Sequence, residues 1–283
     1  MASSITPGDL LARVGSPLQL WDDLQERVQD SAIKRFSDVQ ADWLALMWAL
    51  DSFRAAGLKP DGVEDIEALN RGKGNWFASL LQLLLQNRTS QRIGSRTKIE
   101  GFSQLHQIDV AWPARKLDPL VCAETKVTGG PAYGGKPERG PMSDWTNRRK
   151  ELKFAATDLK LFRRQQETQI DHWGVWRENA SPKTYFLWGA RRRARDAIDT
   201  VLKEARILSE TYLDGAGVCA WRGNAACDGY EAVAVPLASR VTNLDDVLHR
   251  IESEIRRLMT PDGQAPRPQI PAARSGQEAE TDR

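Results

Sequence analysis

Asp109, Glu124 and Lys126 are the residues of this chain whose types and spacing could do chemistry. Glu124 and Lys126 close an apolar, strand-like run at residues 120–123. Side chains alternate faces along a strand, so two residues apart means the same side. At a rise of roughly 3.3 Å per residue the two heads sit about 7 Å apart. Ile108-Asp109-Val110 reads as the end of a preceding strand. If the two strands pair as a hairpin, with the turn near Pro113-Ala114-Arg115-Lys116, Asp109 returns alongside Glu124. Two carboxylates and a lysine then converge. Hard divalent cations such as Mg2+ take one or two carboxylates and complete their shell with waters and phosphate oxygens. A lysine beside them can orient an attacking water or stabilise negative charge developing on phosphorus. The chemistry outlined is phosphodiester hydrolysis.

The elements that must position these residues follow in order along the chain. Residues 76–86 (WFASLLQLLLQ) read as an apolar helix, 96–102 as a first strand, 107–112 as a second and 120–127 as a third. Residues 151–166 read as a second helix and 184–188 as a fourth strand. This order, with Asp109, fourteen intervening residues and Glu124-x-Lys126, resembles the PD-(D/E)XK nuclease superfamily and its restriction-endonuclease-like fold. There a helix precedes a sheet whose second and third strands carry the Asp and the (Asp/Glu)-x-Lys, and a helix and fourth strand follow. The resemblance covers roughly residues 75–189. It implies an α/β fold, a mixed central sheet flanked by helices. It also implies Asp109 and Glu124 as metal ligands, Lys126 as the residue positioning water and scissile phosphate, and Mg2+ as cofactor, with Mn2+ able to substitute. Ile108 stands where many members have Pro. The first helix lacks the acid that many members aim at the metals: Glu64 and Glu67 lie upstream of a Gly72-Lys73-Gly74 break, and Glu100 lies on the first strand. A second metal is left without its ligand.

Rival sites are weaker. Asp118 is six residues before Glu124, about 20 Å away on an extended strand, so it cannot share an ion with Glu124 without a sharp bend. His106 is three residues before Asp109, an odd offset that places it on the opposite face of a strand. His172 and His249 show no metal-ligand spacing. Gly134-Gly135-Lys136 is followed by Pro137 rather than the Ser or Thr of a phosphate-binding loop. Cys122, Cys219 and Cys227 lack CxxC spacing and suggest neither zinc nor disulfides.

Two basic clusters flank the candidate site. Arg148, Arg149, Lys153, Lys160, Arg163 and Arg164 ride on or beside the second helix, and Arg191, Arg192 and Arg193 follow the fourth strand. They are the expected phosphate contacts. The net charge of +2 over 40 Lys and Arg means that affinity for DNA would come from such local clustering. Residues 128–145 contain five glycines and three prolines and read as a long irregular loop, either a lid or DNA-contacting arm or an exposed insertion. Trp43, Trp48 and Trp76 fit core stripes. Trp173 and Trp176 could stack on an unpaired base or pack in a loop.

Residues 1–70 read as a helical cap or recognition module, 71–259 as the nuclease-like domain and 260–283 as a disordered tail. An Arg-rich helix is expected at 190–209, strands at 218–221 and 231–235, and a final helix from the Asn243 cap to about Met259. At 41% hydrophobic and 28% charged residues, a soluble globular protein is expected. With no run near 18 apolar residues and no basic, apolar leader, the cytoplasm is the expected location. The expected function is Mg2+-dependent DNA endonuclease activity in restriction or defence. Double-stranded DNA is the partner, and a homodimer and a cognate methyltransferase suit that setting. The alternative is a non-catalytic DNA-binding or complex-assembly protein on a degenerate nuclease fold.

Overall fold

The computed structural model describes residues 6–60, 66–164, 181–236 and 241–267. Helices come first, and local chemistry sets their ends. Helix α1 (Pro7–Val14) begins at a capping box, in which Thr6 Oγ1 accepts from the Asp9 N–H and the Asp9 carboxylate accepts from the Thr6 N–H. Helix α2 (Pro17–Asp30) carries Pro17 in its first turn, where no N–H is needed. A 3-10 turn (Phe36–Asp38) leads to α3 (Gln40–Ala56), which stops at Gly57 in the left-handed conformation, φ 68°. Helix α4 (Ile66–Thr89) runs unbroken through Gly72-Lys73-Gly74, where the sequence suggested a break. Each helical glycine costs about 1 kcal/mol relative to Ala. Packing overrides that cost: Lys73 is buried in an ion pair with Asp51 of α3, and Trp76 stacks on Trp21 of α2 at 5.5 Å. The proposed boundary at residue 70 therefore falls inside a helix.

The remaining elements are β1 (Gly94–Glu100), β2 (Leu105–Trp112), β3 (Val121–Thr128), α5 (Trp145–Arg164), β4 (Lys183–Arg191), α6 (Ile198–Thr211), β5 (Gly215–Gly223), β6 (Tyr230–Val233), β7 (Val241–Thr242) and α7 (Leu244–Leu258). Together the strands form one seven-stranded mixed sheet, ordered β1-β2-β3-β4-β5-β6, with β7 also paired to β5. Strands β1, β2 and β3 form an antiparallel meander, whereas β3, β4 and β5 run parallel. Strand β3 is thus the seam. Parallel neighbours need long crossovers, and α5 and α6 occupy them.

Residues on the parallel strands alternate between two cores. Tyr185, Leu187, Cys219 and Trp221 pack with α1 to α4 and α7, while Phe186, Trp188, Val218 and Ala220 pack with α5 and α6. The N-terminal helices are therefore a cap sharing the main core. A buried polar chain ties them down. Asp51 accepts from Lys73 and from the Tyr230 hydroxyl (2.6 Å), Tyr230 accepts from Arg191 Nε (2.6 Å), and Arg191 Nη1 reaches Glu138 (2.8 Å). Burial lowers the Lys73 pKa against the pull of Asp51, and burial followed by the Asp51 charge raises that of Tyr230.

Two expectations change at the C-terminal side. No helix starts at Ala190, because Ala190 and Arg191 still pair with Ala220 and Trp221 in the β4–β5 ladder. The segment just beyond Met259, expected to be a disordered tail, packs on the domain, with Arg115 Nη1 donating to the Pro266 carbonyl at 2.6 Å; residues 268–283 lie outside the described set. No helix among the described residues is long and apolar enough to cross a membrane.

One buried pair sets a test. Lys160, with no exposed side-chain surface, donates to Asp214 at 2.9 Å, and Asp214 also accepts from the Thr184 N–H. Removing the Asp214 carboxylate weakens the compensation of a fully buried cation, so Asp214→Ala should cost about 3–5 kcal/mol in urea unfolding. A loss below about 1 kcal/mol would show that the pair is dispensable.

Candidate active site

The antiparallel β2–β3 ladder pairs Trp112 with Val121, Ala111 with Cys122 and Val110 with Ala123, then stops. The next position would set Asp109 against Glu124. There the Asp109 side chain enters the ladder instead: Oδ2 accepts from both the N–H and the hydroxyl of Thr125, each at 2.9 Å. The distortion extends to β1, where Arg96, which the register sets opposite Asp109, takes φ 48°. It also shifts the packing phase along β2. Ile108 and Ala111, three residues apart, belong to the same core cluster with Leu159 of α5.

That slip corrects the placement of His106. Simple alternation put it on the opposite face, but it lines the same cleft as Glu124 and Lys126. The cleft has a volume of about 210 Å3, and Gln104, Glu151, Leu152, Phe154 and Ala155 complete its walls. His106 Nε2 is engaged by Asp158 Oδ2 at 2.7 Å, and Asp158 also accepts from the N–H and hydroxyl of Ser103. Burial works against the Asp158 charge, yet hydrogen bonds from Ser103 and His106 hold its pKa below the usual carboxylate range. His106 therefore anchors the start of β2 to α5. Glu151 and Gln104 were not anticipated, since nothing in the sequence separates them from surface polar residues.

Lys126 Nζ lies 3.5 Å from Glu124 Oε2, and the two side chains are 28% and 19% exposed. Burial, then the Asp109 charge, push the Glu124 pKa up to about 7, with Lys126 opposing. The two carboxylates therefore form a donor pair short of positive charge, which is the condition a divalent cation relieves. Asp109 and Glu124 fit such an ion. Among the described residues no group of three or more His, Cys, Asp or Glu side chains could cage a metal alone. An ion here would complete its shell from water and substrate oxygens, as Mg2+ does.

Other candidates fall away or move. Asp118 sits in the β2–β3 connection at φ 51°, 1% exposed and bound by Arg115. Glu100 pairs with Lys116 at 2.9 Å. Lys160 is corrected from a DNA contact to a buried structural cation, and Arg191, 11% exposed among Asp51, Tyr230 and Glu138, is corrected likewise. Arg149 pairs with Glu204, Lys153 lies over the Tyr212 ring, Arg192 caps the Asp196 carbonyl and Arg193 grips the Asp196 carboxylate. Arg148 is tied to the cleft wall through its pair with Glu151 at 2.9 Å. The side chains of Arg163 and Arg164 lie outside the described set, as do His172, Trp173 and Trp176. All three cysteines are free. Compared with protein-family models, curated proteins and solved structures, the chain finds no match.

The raised Glu124 pKa predicts a stability change with a definite sign. Between about pH 4.5 and 7 the folded protein holds a proton that the unfolded chain has lost, so stability falls as pH rises through that window. Glu124→Gln removes the effect. In metal-free buffer it should stabilise the protein more at pH 8 than at pH 5, by on the order of 2–3 kcal/mol at about 1.4 kcal/mol per pKa unit. Added Mg2+ should narrow the gap. A difference between variant and wild type that does not change with pH in thermal melts would rule out the charged-pair account.

Proposed function

We propose that this chain is a Mg2+-dependent nuclease of the restriction-endonuclease-like kind that hydrolyses phosphodiester bonds in DNA. The observation that carries this reading is the opened ladder, which leaves Asp109 beside Glu124 where the β2–β3 pairing ends, with Glu124 and Lys126 lining one cleft. The order of elements supports it: a helix, a three-stranded antiparallel meander, a crossover helix and a strand parallel to the third.

Each residue has a part suited to that chemistry. Thr125 holds the Asp109 carboxylate in place. Glu124, with a pKa near 7, would be an anion in the presence of a cation and a proton carrier without one. Lys126 can turn from Glu124 toward a phosphate oxygen and offset the charge that develops there. A bound divalent ion supplies Lewis acidity and lowers the pKa of its water. Restriction or defence is the setting proposed, with double-stranded DNA as substrate and a second copy of the chain and a cognate methyltransferase as partners. The second reading, a DNA-binding or assembly protein on a degenerate nuclease fold, is favoured by the absence of a third acidic ligand grouped with Asp109 and Glu124 among the described residues.

Incubating the full chain with methylated and unmethylated plasmid DNA separates the two. Cleavage should require Mg2+ or Mn2+ and vanish in EDTA. Asp109→Ala, Glu124→Ala and Lys126→Ala should each reduce cleavage by about 10³-fold, roughly 4 kcal/mol of transition-state stabilisation. A folded Glu124→Ala variant that still cuts would remove the nuclease assignment from this site, and a wild type that binds DNA without cutting it would favour the second reading.

A further inference from the structure

The Gly/Pro-rich segment after β3 is folded rather than irregular. Gly134 and Gly135 both take positive φ, 52° and 77°, as a two-residue hairpin turn requires. Tyr133 and Lys136 exchange backbone hydrogen bonds across it, and Gly130 and Arg139 do the same further down. The turn thereby returns Arg139 to the end of β3. Arg54 reaches the same place from α3, with its guanidinium over the Tyr133 ring at 5.3 Å. Gly130 permits the approach, since a Cβ there would stand 2.9 Å from Arg54 Nη1. Arg148 arrives from the first turns of α5. These three arginines line a cavity of about 110 Å3 with Thr128 and Asp144, room for several waters or one tetrahedral anion.

We infer that this cavity is a subsite for a phosphate of the nucleic-acid strand, close to the phosphate held at Lys126. The inference rests on the nuclease reading for its relation to the chemistry. Three guanidiniums and one carboxylate, Asp144, line the cavity; Asp144 pairs with Arg139, and Arg148 with Glu151 outside it. A phosphate can displace Asp144 and take the planar fork of an arginine bidentately. Thr128 is two strand residues beyond Lys126, roughly 7 Å. The cavity lies at the carboxyl end of β3, where open α/β sheets bind their ligands. Arg148 lines this cavity while its partner Glu151 lines the catalytic cleft, so one ion pair forms the wall between them. A second cavity, of about 500 Å3, shares Ser143 and is bordered by Arg195 and by the Arg193–Asp196 ion pair, so Arg195 is its basic contact for a strand leaving the first. The helical cap thus contributes Arg54 to substrate binding.

The test is binding of a fluorescently labelled DNA duplex to the full chain in EDTA, followed by anisotropy across a salt series. Arg139→Gln and Arg148→Gln should each weaken binding about three- to tenfold and make the log–log salt slope less negative by about 1. Arg54→Lys should keep the slope and lose affinity, because the charge remains while the fork is gone. Arg206→Gln, on the exposed face of α6 in a pair with Glu210, should change neither. Circular dichroism and thermal melts identify any variant that misfolds. Wild-type affinity and slope in both Arg139→Gln and Arg148→Gln would overturn the subsite. If those variants lose binding while the wild type never cuts, the subsite stands and the nuclease reading fails. If the wild type cuts and both variants bind as it does, the nuclease reading stands and the subsite fails. Absence of DNA binding by the wild type would defeat both.

Discussion

The site depends on one substitution in the hydrogen-bond ladder: the Asp109 carboxylate, rather than a backbone carbonyl, takes the Thr125 N–H. Bonds to a charged acceptor are worth about 1.5–3 kcal/mol, more than a neutral backbone pair. The exchange is therefore sustainable where it ends regular pairing. Had the two strands continued to zip, Asp109 and Glu124 would have faced each other across a closed ladder. Instead β2 twists, the alternation of its side chains slips by one, and the cleft opens toward α5.

The seam at β3 places this opening. One edge of the strand belongs to an antiparallel meander and the other to a parallel array, so the residues near its end face a splayed edge on one side and a firm ladder on the other. The β3–β4 pairing runs in full from Val121–Lys183 to Thr128–Ala190. It holds Glu124 and Lys126 rigidly while Asp109 bends toward them. Helix α5, returned over the sheet by the crossover, closes the cleft with Glu151 and Phe154. Rigid support on one side and a distorted strand on the other give fixed side chains beside an accessible space.

The elements around the site were legible because apolar periodicity and turn residues act locally: the meander, α5, β4 and the Asn243-capped final helix fall close to where the sequence sets them. That β2 and β3 pair antiparallel and bring Asp109 near Glu124 was legible for the same reason, since hairpin geometry follows from strand length and turn position, whereas the end of the ladder at Val110–Ala123 was not. Other features depended on partners distant in sequence. Lys160 reads as one of a row of solvated cations, and Asp214, fifty-four residues on, helps make it a core residue. Arg191 is similar, claimed by Asp51 and Tyr230. Lys73 between two glycines reads as a break until Asp51 supplies a buried partner. His106 was misplaced because strand alternation assumes regular pleating, and the carboxylate in the ladder breaks that regularity.

The polar chain from Lys73 through Asp51, Tyr230 and Arg191 to Glu138 links α4, α3, β6, β4 and the hairpin that follows β3. Its members are mutually dependent, because a buried charge left without its counterpart costs more than the pair contributes. Inheritance is constrained as a result. A recognition module can be exchanged between related proteins when its seam is a solvated linker, but here the seam is a row of interlocking charges. The cap and sheet are then bound to change together, by substitution in step rather than by shuffling, while the hairpin tip, exposed at Gly134 and Gly135, is free of that constraint.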